Sequence, residues 1–197
     1  ERFPRNRSSG KMGFAVAAEA AGRGADVTLV VGATQLPPPA GVDAVRVETA
    51  EEMRREVLAR FENADALVMA AAVSDFRPER ATPGKLKKES GPPEVRLTPT
   101  ADILGELGPS KGARVVVGFA AETDDLEGEG LRKLKSKNLD LVVVNRVGAE
   151  GTGFEAETNE AMIVSSSDEP PPEPSTRTKA ALAAEICDRL AALLADR

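Results

Sequence analysis

The sequence predicts a three-layer α/β fold with a mostly parallel central sheet. Strand-like and helix-like segments alternate along the whole chain, which favours a parallel sheet with helices on its faces. The run Val27–Gly32 is continuously apolar, as expected of a strand that is covered on both faces. The 197 residues suit one domain, residues 1–197, with a sizeable core, and no internal repeat is visible.

The first half of the chain predicts two helices and three strands. An alanine-rich helix over Met12–Gly22 ends at the glycines of "GRGAD", and the first apolar run follows it as a strand. A loop, "QLPPPAG", and a short strand, "AVRVET", come next. The spacing of Thr49 and Glu52 predicts a capping box for a helix that ends near Phe61. A second buried strand, "DALVMAAAV", ends near Ala71.

The second half begins with a long polar segment and then resumes the alternation. Ser74–Pro99 is poor in apolar residues and rich in Pro, Gly and Lys, so it predicts a loop or flap with a short strand at "EVRLT". A short helix "ADILGELG", a strand "RVVVGFA", a helix over Leu126–Ser136 and a strand "LDLVVVN" follow. After the glycine-rich turn "GTGFEAETN", we expect "EAMIVSS" to form an outer strand. The loop "DEPPPEPS" precedes an amphipathic helix from about Arg177 to Leu194.

Composition excludes several classes of function. The net charge of -6 argues against nucleic acid as the main partner. Without His or Tyr, a Ser-His-Asp triad and a Tyr-based hydride-transfer site are impossible, and a zinc site lacks its usual ligands. Cys187 is the one cysteine, which fits a reducing compartment, so we expect a cytoplasmic protein. No apolar run has the length of a membrane span and no signal peptide is visible, so we expect no membrane partner.

The segment "NRSSGKMG", from Asn6 to Gly13, precedes the first predicted helix. Its small residues expose backbone N–H groups that suit an anion, although the spacing is not that of a P-loop. Asn6 is suited to donate a hydrogen bond to a developing oxyanion. The plainer interpretation is an N-cap, in which Ser8 or Ser9 satisfies the first turn of the helix.

Two further segments carry candidate polar groups. In such folds ligands bind beyond the carboxyl ends of the strands, which favours "AAVSDF", "GFAAET" and "VNRV" as pocket-facing segments. Asp75 either accepts from a base or ribose, or helps to hold a metal, or is an ordinary polar strand end. Lys85, Lys87 and Lys88 in "GKLKKES" suit a triphosphate or pyrophosphate, with a solvated charged face as the alternative.

Phe119 and two lysines complete the set of candidates. Phe119 stands at a predicted strand end, where it either packs on a base or belongs to the core. Lys133 and Lys137 have an i, i+4 spacing, so both lie on one helix face. They either clamp a nucleotide or stabilise the negative end of the helix dipole. Together, these segments describe a nucleotide site rich in anion-binding groups.

These motifs stand in the order and spacing of a known family. "NRSSGKMGFAVAAEAAGRGADVTLV", "AAAVSDF", "KLKK", "VVGFAAET", "KLKSKNLDLVVVN" and "GFEAETNEA" together resemble phosphopantothenate–cysteine ligases. Over nearly its whole length the chain is similar to the C-terminal domain of bacterial bifunctional coenzyme A biosynthesis flavoproteins. The resemblance implies a Rossmann-like (ribokinase-like) fold.

Two parts of the family's pattern are missing from the sequence. The chain opens at Glu1 without the family's first strand and glycine-rich turn, so we expect a fragment with an incomplete phosphate pocket. The flavin-dependent decarboxylase domain, a natural fusion partner in this family, is missing as well. We therefore expect neither flavin binding nor decarboxylation.

The resemblance implies a two-step ligation with CTP as co-substrate. The carboxylate of 4'-phosphopantothenate attacks the α-phosphate of CTP, which gives an acyl-cytidylate and pyrophosphate. The amine of L-cysteine then attacks the acyl carbon, which gives 4'-phosphopantothenoylcysteine and CMP. Mg2+ and lysines would neutralise the triphosphate. Family members pair, which implies at least a homodimer.

By motif match, the resemblance also assigns residues to roles. Asn6 acts in the conversion of the acyl-cytidylate and Lys85 engages the phosphates, so both are candidate catalytic residues. The acid substrate would be bound by Asn6, Ser8, Ser9 and Gly10. The nucleotide would be bound by Ala71, Ala72, Asp75, Lys85, Thr98, Pro99, Thr100, Ala101, Phe119, Lys133 and Lys137. No metal ligand is assigned.

Two other functions stay open on the residues alone. An NAD(P)-dependent oxidoreductase is compatible with the fold class, but the GxGxxG motif, Tyr and His are missing. A non-catalytic nucleotide-binding module is compatible as well, and CTP binding without turnover would indicate it.

Overall fold

The structure is a computed structural model, and it describes residues 8–80, 94–148, 158–168 and 172–197. In these ranges the helices are α1 (Lys11–Gly22), α2 (Ala50–Phe61), α3 (Ile103–Leu107), α4 (Leu126–Ser136) and α5 (Lys179–Ala195). The strands are β1 (Val27–Val31), β2 (Val42–Arg46), β3 (Ala66–Met69), β4 (Phe76–Pro78), β5 (Leu97–Pro99), β6 (Val115–Glu122), β7 (Leu141–Arg146), β8 (Thr158–Ser165) and β9 (Ser175–Thr178). None of these helices has both the length and the apolar character needed to cross a bilayer.

The central sheet has the strand order β3-β6-β7-β8-β9. The first three of these strands are parallel, whereas β8 and β9 extend the sheet in antiparallel fashion on one side. A separate parallel pair is formed by β1 and β2, and an antiparallel pair by β4 and β5. The predicted α/β class with parallel central strands is confirmed.

Helices cover both faces of the central sheet. The core under α2, α3 and α4 includes Met53, Val57, Phe61, Leu104, Val116, Leu134, Val142 and Val144. The core under α1 and α5 includes Val16, Val115, Val117, Leu141, Val143, Leu182 and Ile186. Successive valines of β6 and β7 therefore point to opposite faces, and both faces are covered by helices. This explains why the two strands are continuously apolar and gives the predicted three layers.

The helix boundaries follow local chemistry. Thr49 Oγ1 accepts from the Glu52 N–H at 3.1 Å, and the Glu52 carboxylate accepts from the Thr49 N–H at 3.2 Å. The predicted capping box is thereby confirmed. The last helix begins at Lys179, slightly after the predicted start at Arg177, because the Thr178 hydroxyl caps it by accepting from the Ala181 N–H at 3.1 Å.

Several strands differ from the prediction. The expected outer strand "EAMIVSS" is β8, which lies between β7 and β9, because the polar segment Ser175–Thr178 pairs along its other edge. Within the long predicted loop Ser74–Pro99, the ends of the segment pair as β4 and β5. The strand β3 ends at Met69 rather than near Ala71, and β2 covers Val42–Arg46, slightly earlier than "AVRVET".

Candidate functional site

A cavity of about 200 Å³ lies at the carboxyl end of β3, beside α3 and α4. We call it the strand-end cavity. The predicted nucleotide residues Ala71, Asp75, Thr100 and Ala101 line one part of it, and Phe119, Lys133 and Lys137 line another. The position beyond the carboxyl ends of parallel strands is where α/β folds bind ligands. Seven residues that are scattered over the sequence therefore meet at one cavity.

Other predicted residues lie outside this lining. Ala72 follows Ala71 between β3 and β4, and Thr98 and Pro99 belong to β5, so these three adjoin the cavity along the chain without lining it. The two candidate catalytic residues, Asn6 and Lys85, lie outside the described residues. Their assignments remain predictions.

The two lysines approach the cavity from α4 and its C-cap. Lys133 Nζ donates to the backbone carbonyl of Phe119, and Lys137 Nζ lies 2.9 Å from the carboxylate of Asp102. Burial lowers the pKa of Lys133, and the neighbouring Lys137 ammonium lowers it further. The carboxylates of Glu122 and Asp102 act in the opposite direction without reversing the shift. The i, i+4 spacing thus brings two cationic groups to one small cavity.

Asp102 is a lining residue that the sequence analysis missed. It is the N-cap of α3, and its Oδ1 accepts from the Gly105 N–H at 3.1 Å. Burial raises the pKa of its carboxyl, but the hydrogen bonds from Lys137 and Gly105 outweigh burial and leave the pKa below its usual range. An Asp just before a short apolar helix is an N-cap pattern, and that signal could have drawn attention to it.

The hydroxyl of Thr100 is an unusual feature of the cavity wall. Its Oγ1 is buried and has no hydrogen-bond partner within the part of the chain that the structure describes. Its backbone N–H donates to the Asp75 carbonyl at 2.8 Å, which ties the end of β5 to the segment after β3. A buried polar atom without a partner costs about 1–3 kcal/mol. A ligand with a polar atom at this wall would remove that cost.

Phe119 contributes its backbone to the cavity. Its side chain packs against the apolar cluster under α1 and α5, on the opposite face of the sheet from α4. This corresponds to the core alternative for Phe119. Its carbonyl, by contrast, is the hydrogen-bond acceptor that holds Lys133.

The start of α1 is built from the predicted anion-binding segment. Gly10 is the N-cap, with φ 79°, a left-handed conformation that favours glycine. Ser8 Oγ accepts from the Gly10 N–H at 3.4 Å, and Ser9 Oγ accepts from the Lys11 N–H at 3.3 Å. The serines therefore make local turns at the helix start, as the plainer interpretation expects, although the cap itself is glycine.

The same helix start lies close to the end of β3. A Cβ atom placed on Gly13 would be 3.7 Å from the Cβ of Ala70, which stands between the lining residues Met69 and Ala71. The hydroxyl of Thr34, after β1, donates to the Ser9 carbonyl at 3.1 Å and holds the segment in place. The predicted substrate-binding residues Ser8, Ser9 and Gly10 precede this contact on the same segment and do not line the strand-end cavity.

Comparison with known proteins identifies the family. The model of the family described as "DNA/pantothenate metabolism flavoprotein C-terminal domain" matches residues 1–194. The chain belongs to this family. It is 45% identical over 159 residues to the Coenzyme A biosynthesis bifunctional protein CoaBC of Bacillus subtilis, covering 80% of this chain and 39% of that protein. The chain therefore spans well under half the length of this relative.

Solved structures agree with this assignment. A crystal structure of the C-terminal domain of Coenzyme A biosynthesis bifunctional protein CoaBC matches with a TM-score of 0.79 and 33% identity, covering 98% of this chain and 86% of that chain. A Cab2 mutant in complex with phosphopantothenate-cysteine matches with a TM-score of 0.76 at 17% identity, covering 97% of this chain and 80% of that chain. The second similarity is one of fold. The family resemblance and the Rossmann-like fold expected from the motifs are confirmed.

Proposed function

We propose that this chain is a CTP-dependent phosphopantothenate–cysteine ligase of coenzyme A biosynthesis. The observation that carries the proposal is the strand-end cavity in a chain of this family. Two lysines converge there with the Thr100 hydroxyl, which has no hydrogen-bond partner among the described residues. Ammonium groups and polar wall atoms suit a nucleoside triphosphate. The names of the relatives support the pathway, and the ligand bound to the Cab2 mutant supports the product.

In the first step, two anions must be joined. The carboxylate of 4'-phosphopantothenate attacks the α-phosphorus of CTP, and the bond from that phosphorus to the β-phosphate bridging oxygen breaks, releasing pyrophosphate. Lys133 and Lys137 would bind the phosphates and reduce the repulsion between the reactants. We assign Lys85 to the same task. The remaining contribution of the protein is to position the two groups, for which neither His nor Tyr is needed.

In the second step, the acyl-cytidylate reacts with L-cysteine. The cysteine amine attacks the acyl carbon, the bond to the phosphate oxygen breaks, and CMP leaves. Negative charge develops on the acyl oxygen, and we assign Asn6 to donate a hydrogen bond to it. Ser8, Ser9 and Gly10 would hold the acid substrate beside the start of α1.

We propose that Mg2+ accompanies the CTP. This ion commonly binds to phosphates and one or two carboxylates while keeping several waters. Asp75, in the wall of the cavity, fits such a role. The described residues contain no cluster of three or more His, Cys, Asp or Glu side chains that could hold a metal ion by themselves. When bound, the ion would neutralise charge on the triphosphate.

We also propose a homodimer, a decarboxylase fusion partner and a cytoplasmic location. Phe76 of β4, Val95 just before β5 and Leu97 of β5 are exposed apolar side chains that a second copy would cover. The relative from Bacillus subtilis is a longer, bifunctional protein, which supports the fusion. A single unpaired cysteine, Cys187, fits a reducing compartment.

Mass spectrometry of the reaction product tests the proposal. Purified protein with CTP, Mg2+, 4'-phosphopantothenate and L-cysteine should yield 4'-phosphopantothenoylcysteine, and omission of any one substrate should abolish it. Lys133→Met should reduce the yield strongly, whereas the control Lys135→Met should not, because Lys135 is exposed and lies outside the cavity lining. Binding of CTP without any product would instead indicate a non-catalytic module.

A further inference from the structure

We propose that Asn138 is a positioning residue for CTP, which acts by fastening the backbone beside Lys137 to the end of α3. The inference rests on the proposed function and deepens it, because it names what holds one of the two phosphate-binding lysines in place. Lys137 is the C-cap of α4, and Asn138 is the next residue. Gly108 is the C-cap of α3, the short helix whose N-cap Asp102 lines the strand-end cavity.

The end of α4 is a place where a lysine needs an anchor. Lys137 lies one residue beyond the last helical residue, Ser136, and helix ends fray. Its ammonium stands on a flexible four-carbon stem, so the backbone position from which the stem starts decides which volume it can reach. The ion pair with Asp102 is a weak anchor in the presence of CTP, because the phosphates compete for the same ammonium. An uncharged anchor on the backbone side is free of this competition.

Asn138 ends α4 in a left-handed conformation, with φ 49°. Its N–H donates to the Lys135 carbonyl at 3.3 Å, and the Leu139 N–H donates to the Leu134 carbonyl at 2.9 Å. These two bonds form a Schellman motif, in which glycine is the usual left-handed residue. Asparagine and aspartate tolerate this conformation too, and of the three residue types only asparagine carries a side-chain N–H. The asparagine at this position therefore points to a use for its amide donor.

The amide of Asn138 has its partner on α3. The Nδ2 of Asn138 donates to the Gly108 carbonyl at 2.9 Å, in a partly buried contact. The two backbones also meet there, because a Cβ atom on Gly108 would lie 1.9 Å from the Lys137 carbonyl oxygen. Glycine thus permits the close approach of α3 to the end of α4, and the Asn138 amide fixes it.

Consecutive residues therefore hold the two ends of one short helix. Lys137 Nζ lies 2.9 Å from the Asp102 carboxylate at the N-cap of α3, and Asn138 is bonded to the C-cap. Because α3 spans only Ile103–Leu107, it is too short to be stable alone, and its position depends on such contacts. When a phosphate takes the ammonium from Asp102, the bond to Gly108 still keeps the Lys137 backbone next to α3. The ammonium then stays within reach of the strand-end cavity.

A glycine substitution removes the donor without disturbing the helix end, since glycine is the preferred residue at the left-handed position. In Asn138→Gly, we expect the KM for CTP to rise about three- to tenfold, within the range that one neutral hydrogen bond contributes. The KM for 4'-phosphopantothenate and kcat should change less than about twofold, and the Tm by less than about 4 °C. Asn63→Gly is the matched control, because it makes the same change in an exposed turn after α2 and should leave all these values unchanged.

A double-mutant cycle tests whether Asn138 acts through Lys137. Lys137→Met removes the ammonium, so a residue that only positions this ammonium has nothing left to position. Adding Asn138→Gly to Lys137→Met should therefore change the KM for CTP by less than about twofold further. A merely structural role of Asn138 would act equally in the wild type and in Lys137→Met.

The outcomes separate this inference from the proposed function. A wild-type protein that makes no product overturns both. An active wild type in which Asn138→Gly keeps the KM for CTP overturns the role of Asn138 alone. Equal increases in the two KM values, or an undiminished effect in the Lys137→Met background, would also overturn it, because each would indicate a general distortion. A selective increase in the KM for CTP that disappears in Lys137→Met supports it.

Discussion

The ion pair between Lys137 and Asp102 joins a proposed phosphate-binding group to a helix cap, and mutation can remove either partner alone. Lys137→Met removes the cation from the strand-end cavity and leaves the Asp102 carboxylate facing the phosphates. Asp102→Asn removes the anion but keeps an N-cap for α3, since Asn caps as well as Asp. The two substitutions break the same 2.9 Å contact, yet they change the charge of the cavity in opposite directions.

The structure gives the expected magnitudes. The exposed side-chain fractions of Lys137 and Asp102 are 25% and 54%, so the pair contributes at most about 1 kcal/mol to folding. Either variant should therefore lower the Tm by no more than about 2–4 °C in a chain of this size. A charge-assisted contact between Lys137 and a phosphate is worth about 1.5–3 kcal/mol, or about 10- to 100-fold. Lys137→Met should raise the KM for CTP by that factor, whereas Asp102→Asn should leave it unchanged or lower it.

Initial rates at varied CTP concentration, together with thermal unfolding of each variant, measure both effects. If Asp102→Asn raises the KM for CTP as much as Lys137→Met does, the pair matters as a structural unit. The assignment of Lys137 to the phosphates would then be wrong.

Three further predictions concern pH, backbone packing and the core. Burial lowers the pKa of Lys133, so the side chain loses its proton at a pH below its ordinary pKa of 10.5. The KM for CTP should therefore begin to rise with pH before the pH reaches 10.5. In Lys133→Arg, a pH series should show no such rise. Because the unfolded chain holds that proton more tightly, the stability contribution of Lys133 should increase as pH rises through the same window, which urea unfolding can follow. Gly108→Ala should strongly lower both the Tm and CTP affinity, because its Cβ would lie 1.9 Å from the Lys137 carbonyl oxygen; an unchanged Tm would contradict this. Ile186→Ala, at a fully buried position of α5, should cost about 2–5 kcal/mol in denaturant unfolding, while the KM values for CTP and 4'-phosphopantothenate stay within about twofold.

Local and periodic signals predicted much of the fold. The Thr49–Glu52 capping box depends on side chains three residues apart, so the sequence contains all of its information. The apolar run Val27–Gly32 predicted a strand covered on both faces, and this was wrong: β1 is mostly half-buried and pairs only with β2 among the described strands. The spacing of Lys133 and Lys137 predicted a shared helix face, because residues four positions apart in a helix lie on the same side.

Features that depend on neighbours in space were harder to predict. The position of β8 inside the sheet depends on its pairing with Ser175–Thr178. Because that segment has no alternation of apolar and polar residues, it was not predicted to be a strand, and "EAMIVSS" was predicted to lie at the edge of the sheet. Asp102 lines the cavity as a helix N-cap that also forms an ion pair with Lys137, and no sequence motif connects positions 102 and 137. The contact of Lys179 with Asn159 likewise crosses from a helix start to a strand, and only the folded chain brings them together.

The most direct test of the central claim is CMP release with 4'-phosphopantothenate and L-cysteine, compared between CTP and ATP. We predict that CTP yields CMP in a one-to-one ratio with 4'-phosphopantothenoylcysteine, that ATP is a much poorer substrate, and that leaving out 4'-phosphopantothenate abolishes CMP formation. Saturable CTP binding accompanied by no CMP, under conditions in which the protein is folded, would contradict the account.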